Sequence, residues 1–149
     1  MRLRLNRNSF TLLELLIASG VLVIVLTGLL SAYISCLEMN ETTKNSNLAL
    51  GAVQEELENL RKAPFQTLNT TYTFYATGSL ANLSLGRVVI DKTTNSSFYR
   101  VDAGMCWKQR NSRVIGECID NNGTLVFNDT NGNGVLDSPV QLTTYMAQR

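Results

Sequence analysis

Between Leu15 and Leu37 the chain carries no charged residue, while Glu14 stands at the lip of this apolar run and Arg2, Arg4 and Arg7 precede it. A helix needs about 20 apolar residues to cross a bilayer core, and Phe10 to Leu37 supplies 28. Basic residues ahead of a spanning segment keep their end of the chain in the cytoplasm, so the residues after Leu37 are expected outside it. A carboxylate beside hydrocarbon is costly and marks a functional position. Glu14 therefore calls for a cation. A cut between Ser9 and Phe10 would create one, an α-amino group four residues upstream. The plain alternative is an uncleaved signal anchor, which has no need of an acid at that place. An ordinary secretory signal loses its apolar core on cleavage; here the cut precedes that core, which stays in the mature chain.

The stretch Phe10-Thr11-Leu12-Leu13-Glu14 after a basic leader resembles the prepilin signature of type IV pilins and type II secretion pseudopilins. The resemblance covers residues 1–64 and is most specific over 9–14. It implies that a membrane prepilin peptidase cuts after Ser9, that the new N-terminal Phe10 is methylated, and that Thr11 and Glu14 act in assembly. Glu14 would pair with the N-terminal amine of a neighbouring subunit. Ser9 stands where the family usually has Gly, sometimes Ala.

The helical pattern runs past the apolar segment. Leu48, Ala49, Ala52, Val53, Leu57 and Leu60 recur at helical spacing, with Glu55, Glu56, Glu58, Arg61 and Lys62 on the other faces. Pro64 is the first proline and a stop signal. A continuous helix over 10–62 would be roughly 80 Å long at 1.5 Å per residue, weakest over Asn40–Asn47, where Thr, Asn and Ser are poor helix formers. Gly20 and Gly28 lie on nearly one face; close helix packing in lipid and chance account for them equally well.

Beyond Pro64 the composition turns to Thr, Asn, Ser, β-branched and aromatic residues. Strands are expected at Tyr72–Ala76, Arg87–Ile90, Phe98–Asp102 extending to Trp107, Arg113–Ile119, Gly123–Asn128 and Val140–Met146. The fold class is α+β: a long N-terminal helix, its second half amphipathic, packed on a small antiparallel sheet in a pilin-like roll. Three parts are expected: a leader over 1–9, the membrane and fibre-core helix over 10–63, and an extracytoplasmic β-rich domain over 64–149. Losing the leader's three arginines takes the side chains from 13 basic and 12 acidic to 10 and 12, a net charge of −2.

There is no histidine, which removes imidazole-based acid–base catalysis and His ligation. No nucleophile and base are arranged together, so no enzyme is expected. Cys106 and Cys118 lie equidistant from Ser112; a hairpin centred there would set them opposite each other, close to disulfide reach. Two free thiols are the alternative. Cys36 stands alone in the apolar run and reads as a small apolar residue.

Asp129, Asn131, Asn133 and Asp137 fall at positions 1, 3, 5 and 9 of an EF-hand-like loop, with the Val135 carbonyl at position 7 and Gly134 at the turn. Val140 stands where the bidentate Glu would be. The loop also resembles Asn-Gly loops near the C-terminus of some pseudopilins and minor pilins that hold calcium. Against this, Asn131-Gly132 and Asn133-Gly134 are hairpin-turn dipeptides, and the segment then merely joins two strands. Calcium is the one cofactor considered. Trp107, Lys108, Arg110 and Arg113 surround the Ser112 turn. Such a basic loop can touch nucleic acid, but exposed charges on a turn are usually only a solvated tip, and no nucleic-acid partner is expected.

These readings converge on a minor pilin or pseudopilin, held single-pass in the inner membrane with a cytoplasmic N-terminus and a periplasmic or extracellular domain. Its partners are other pilin-like subunits, the prepilin peptidase and inner-membrane lipid. The alternative is a membrane-anchored, calcium-stabilised binding module, an adhesin or DNA-uptake receptor at a fibre tip.

Overall fold

The computed structural model describes residues 11–64, 67–68, 70–92 and 98–147. One helix, α1 (Leu12–Lys62), is followed by strands β1 (Thr71–Phe74), β2 (Ser84–Asp91), β3 (Phe98–Lys108), β4 (Val114–Ile115), β5 (Cys118–Asn121), β6 (Thr124–Phe127) and β7 (Gln141–Ala147). The chain divides into two compact units, Met1–Asn40 and Glu41–Arg149. The boundary falls inside α1, whose amphipathic half belongs to the globular unit.

In the first unit the helix is exposed along its whole described length. By length and composition it can cross a membrane. Its hydroxyls turn back on the helix: Ser19 Oγ donates to the Leu16 carbonyl (2.9 Å), Thr27 Oγ1 to that of Ile24 (2.9 Å) and Ser35 Oγ to that of Ser31 (3.1 Å). In an apolar medium such bonds satisfy groups that have no water to turn to.

In the second unit Asn45, Ala49, Val53, Leu57 and Leu60 form the buried stripe of the helix. It packs on one face of an antiparallel sheet ordered β1-β2-β3-β4, with β7 also paired to β3. Along β3 the alternate residues Val101, Ala103, Met105 and Trp107 are fully buried in this core. The weak helical segment Asn40–Asn47 is nonetheless helical throughout. Gln109 Nε2 donates to Thr42 Oγ1 (2.6 Å) and the Arg110 N–H to Glu41 Oε1 (3.0 Å). Tertiary contacts thus override propensity there.

The opposite sheet face carries a second layer. Hairpin β5–β6 and the 128–140 connection bring Cys118, Leu125 and Leu136 against Leu85 and Cys106, forming a separate small core. The strand expected over Arg113–Ile119 is in fact two, β4 in the main sheet and β5 in the outer layer. The break is at Gly116, whose φ of +93° suits glycine. A Cβ there would come within 2.9 Å of the Cys106 Cβ.

Candidate functional site

Two regions carry the residues singled out from the sequence. At the start of α1, Thr11 caps the helix. Its carbonyl accepts the Glu14 and Leu15 N–H groups (3.0 and 3.2 Å), and its Oγ1 also accepts from Glu14 N–H (3.3 Å). This is the bonding of an N-cap, with an acid three residues on. It gives Thr11 a local role that the sequence reading did not assign. Glu14 lies in the first turn, where a negative charge is favoured by the helix dipole. Its side chain is exposed and forms no ion pair among the described residues. Ser9 and Phe10, the expected cleavage and methylation positions, lie outside the described residues.

In the second unit Cys106 and Cys118 are joined by a disulfide, Cα to Cα 6.2 Å. The register behind it differs from a hairpin centred on Ser112. Trp107 pairs with Ile115 and Lys108 with Val114, which carries Gly116 towards Cys106. The chain then bends, with the Cys118 N–H donating to the Gly116 carbonyl (2.9 Å), and Cys118 reaches Cys106 from the outer layer. The pairing expected from the sequence is present, by a different route.

The 129–137 loop is closed by its own side chains. Asp129 Oδ1 and Oδ2 accept the N–H groups of Gly132 (2.6 Å) and Gly134 (2.7 Å). Asn131 Oδ1 accepts from Asn133 N–H (3.0 Å), and Asn133 Oδ1 from Val135 N–H (2.7 Å). Asp137 Oδ2 in turn accepts from Asn131 Nδ2 (2.6 Å) and Asn133 Nδ2 (3.3 Å), while Val135 itself is buried.

Glu117, missed in the sequence, ties the two ends of the loop together. Its Oε1 accepts the Thr130 N–H and its Oε2 the Asp137 N–H, both at 3.3 Å, while its own N–H donates to the Asp137 carbonyl (2.9 Å). No sequence motif points to it, because it comes from the far side of β5 and β6. Arg87 Nε donates to the Gly134 carbonyl (3.0 Å), and its guanidinium lies 4.2 Å from the centre of the Phe127 ring.

Every donor the loop offers to a ligand from its predicted positions is oxygen, the donor type a hard divalent cation takes. Among the described residues no group of three His, Cys, Asp or Glu side chains stands close enough to hold a metal. A cation there would have to rest on amide and carbonyl oxygens beside two carboxylates, oxygens that here accept from the loop's own N–H groups.

The four residues of the basic turn do not gather on one surface. Trp107 is fully buried beneath the helix, and Lys108 Nζ pairs with Asp120. That bond holds the Asp120 carboxyl below the usual aspartate range. Only Arg110 and Arg113 remain as exposed cations on the turn, without an aromatic platform beside them.

Residues 4–30 match the family described as the prokaryotic N-terminal methylation motif. No curated protein and no solved structure matches the chain. The matched segment takes in the arginines at 4 and 7, the expected cut and the capped first turns of α1. The motif points to a structural protein that a prepilin peptidase processes and that assembles with other pilin subunits, and the apolar helix fits an inner-membrane anchor. The prepilin motif over residues 4–30, at the head of a long apolar helix in a chain that also carries an antiparallel sheet, supports a type IV pilin-like protein.

Proposed function

We propose that this chain is a minor structural subunit, a minor pilin or pseudopilin, of a fibre of the type IV pilus or type II secretion kind. The observation that carries the reading is Glu14 in the capped first turn of a helix that stays uncharged to Leu37. Before assembly the helix lies in lipid. On assembly it leaves lipid for a fibre core built of like helices, an exchange between two dry surroundings that costs little apolar solvation. Selectivity then rests with the carboxylate. An acid without a partner in apolar surroundings is costly, and a cation freed by cleavage on the adjacent subunit satisfies it in one register.

Mass spectrometry of the native polypeptide tests this reading. The mature chain should begin at an N-methylated Phe10, and recovery of intact Met1 would overturn the cleavage. A Glu14→Ala variant should insert and be cut but enter fibres poorly. Normal incorporation would remove the role given to Glu14.

We propose further that the 129–137 loop holds calcium through side-chain oxygens of Asp129, Asn131, Asn133 and Asp137 and the carbonyl of Val135. The cation would neutralise two neighbouring carboxylates and stiffen the connection between β6 and β7. What supports this is the donor set, two carboxylates with amide and carbonyl oxygens on one short loop, and the same loop supports the second reading, a binding module displayed at a fibre tip. Millimolar calcium should raise the melting temperature of the wild type and leave that of Asp129→Asn unchanged. A wild-type melting temperature indifferent to both calcium and chelator would remove the site. Binding of the detergent-solubilised chain to DNA or a host surface, outside any fibre, would favour the second reading over the first.

A further inference from the structure

The two layers on either side of the sheet are held in unequal ways. Among the described residues, the core under the helix has fifteen buried members. The core under the outer layer has five, Leu85, Cys106, Cys118, Leu125 and Leu136, and two of these are the joined cysteines. A core that small does not ordinarily hold a layer without a covalent staple. Apart from the disulfide, the outer layer is tied to the sheet by a few polar links. They include Lys108 with Asp120, Arg87 with the Gly134 carbonyl and the Phe127 ring, Ser138 Oγ donating to the Met105 carbonyl (2.5 Å), and the Met105 N–H donating to the Val140 carbonyl (3.1 Å). Glu117, next in the chain to Cys118, closes the 129–137 loop, so the anchor of the disulfide is also the anchor of the loop.

We infer that the Cys106–Cys118 disulfide is a redox latch for the outer layer alone. Reduction releases β5, β6 and the 128–140 connection while α1 and the five-stranded sheet stay folded. The chemistry is thiol–disulfide exchange with a dithiol. One reductant thiolate attacks a cysteine sulfur, breaks the S–S bond and forms a mixed disulfide. The second reductant thiol then displaces it. Two electrons and two protons pass to the protein, which ends as two thiols, and the reductant ends as a disulfide. Released, the layer exposes Leu125 and Leu136 and dissolves the braced loop. The loop is thus a property of the oxidised chain only, and its presence reports that the domain has reached an oxidising compartment. This inference does not rest on the fibre reading, because it concerns the globular unit by itself.

The test is hydrogen exchange read by mass spectrometry on the full chain in detergent micelles, before and after reduction with a water-soluble phosphine or dithiothreitol. Closing a loop with a sequence separation of 12 restrains the open chain enough to change protection on the order of a hundredfold. Amides of β5, β6 and residues 129–137 should lose about that much protection on reduction. Those of residues 49–60, β2 and residues 101–105 should change by less than about threefold. A Cys106→Ser/Cys118→Ser variant should show the reduced pattern without any reductant. If that variant does not accumulate, graded reduction of the native protein gives the same reading. Uniform loss across both layers, or protection unchanged in the outer layer once both thiols are titratable, overturns the inference.

Discussion

Gly104 sits in the middle of β3, against Leu136 of the outer layer. A Cβ built on it would lie 2.4 Å from the Leu136 carbonyl oxygen and 3.4 Å from the Leu136 Cδ2. Ordinary carbon–oxygen contacts begin near about 3.3 Å, so Gly104→Ala forces roughly 0.9 Å of backbone movement. The obstacle is main chain, which cannot swing aside as a side chain would. Overpacking of a well-filled interior costs about 1–3 kcal/mol, and we expect the upper half of that range. With an m-value of about 1–3 kcal/mol per molar urea, the midpoint should fall by roughly 1 M. Trp107 is the single tryptophan and is fully buried, so its fluorescence reports the transition of the sheet. Two controls sharpen the case. Adding Leu136→Ala should not restore Gly104→Ala, since the carbonyl remains. At Gly86 the added Cβ would instead meet the Phe74 ring, 2.4 Å from its Cε1. There Gly86→Ala should be largely repaired by Phe74→Leu. A Gly104→Ala unfolding free energy within about 0.5 kcal/mol of wild type, or one repaired by Leu136→Ala, would refute the layered packing described above.

Other outcomes follow from the same structure. Leu57→Ala, 6 % exposed beneath the sheet, should cost about 2–4 kcal/mol as a core truncation, read by the same urea titration; an effect below 1 kcal/mol would mean the helix stripe is not a core. The Asp120 carboxyl is held below the usual aspartate range first by its hydrogen bond from Lys108. Its contribution is therefore present above the ordinary aspartate value and lost as pH falls through the lowered one. Lys108→Met should bring the Asp120 titration, followed by carboxyl NMR, back up towards the ordinary range. Tyr72 is pushed above the ordinary tyrosine range by burial and then by its hydrogen bond to Glu56 (2.8 Å). The folded state thus favours its protonated form, so stability that is full below about pH 10 should decline as pH rises beyond it. Tyr72→Phe should flatten that decline, and an unchanged alkaline slope would exclude the pair. Glu117→Gln keeps the shape of the residue that ties the loop ends and removes its charge. It should speed exchange in residues 129–137 several-fold without moving the sheet transition.

How much of this could be read from the sequence depended on whether the signal was local. The helix, its end beside Pro64, and five of six expected strands rest on periodicity and turn chemistry within a few residues of each other, and the structure has them. The cysteine pairing was legible from two cysteines close in the chain on either side of a turn, but the register that brings them together was not. The break at Gly116 was not, because Val114 to Ile119 reads as one apolar-rich run, and only contact with Cys106 and Ser138 from elsewhere forces the bend. The helix was expected to run through Asn40–Asn47 as its weakest stretch; what the sequence did not show is the support it takes there from Gln109 and Arg110, far along the chain. The strand was expected to reach Trp107, but the burial of Trp107 was not legible beside a basic turn. Its parity along β3, shared with Val101, Ala103 and Met105, is what puts it under the helix.

The same distinction separates the two candidate regions. The helix start is encoded by a contiguous string, so the N-cap at Thr11 and the acid at Glu14 both depend on local residues, and both are present in the fold. The loop is encoded only in part. Its own oxygens are contiguous, but what holds it shut is Glu117, and what holds Glu117 is the neighbouring cysteine bridged across the sheet. A substitution at Glu117 or Cys118 should therefore disturb the loop more than one at Thr130, which lies within it and contributes only main-chain and hydroxyl bonds. If Thr130→Ala loosened residues 129–137 as much as Glu117→Gln in hydrogen exchange, closure would lie in the turn sequence itself and the brace across the layers would carry nothing.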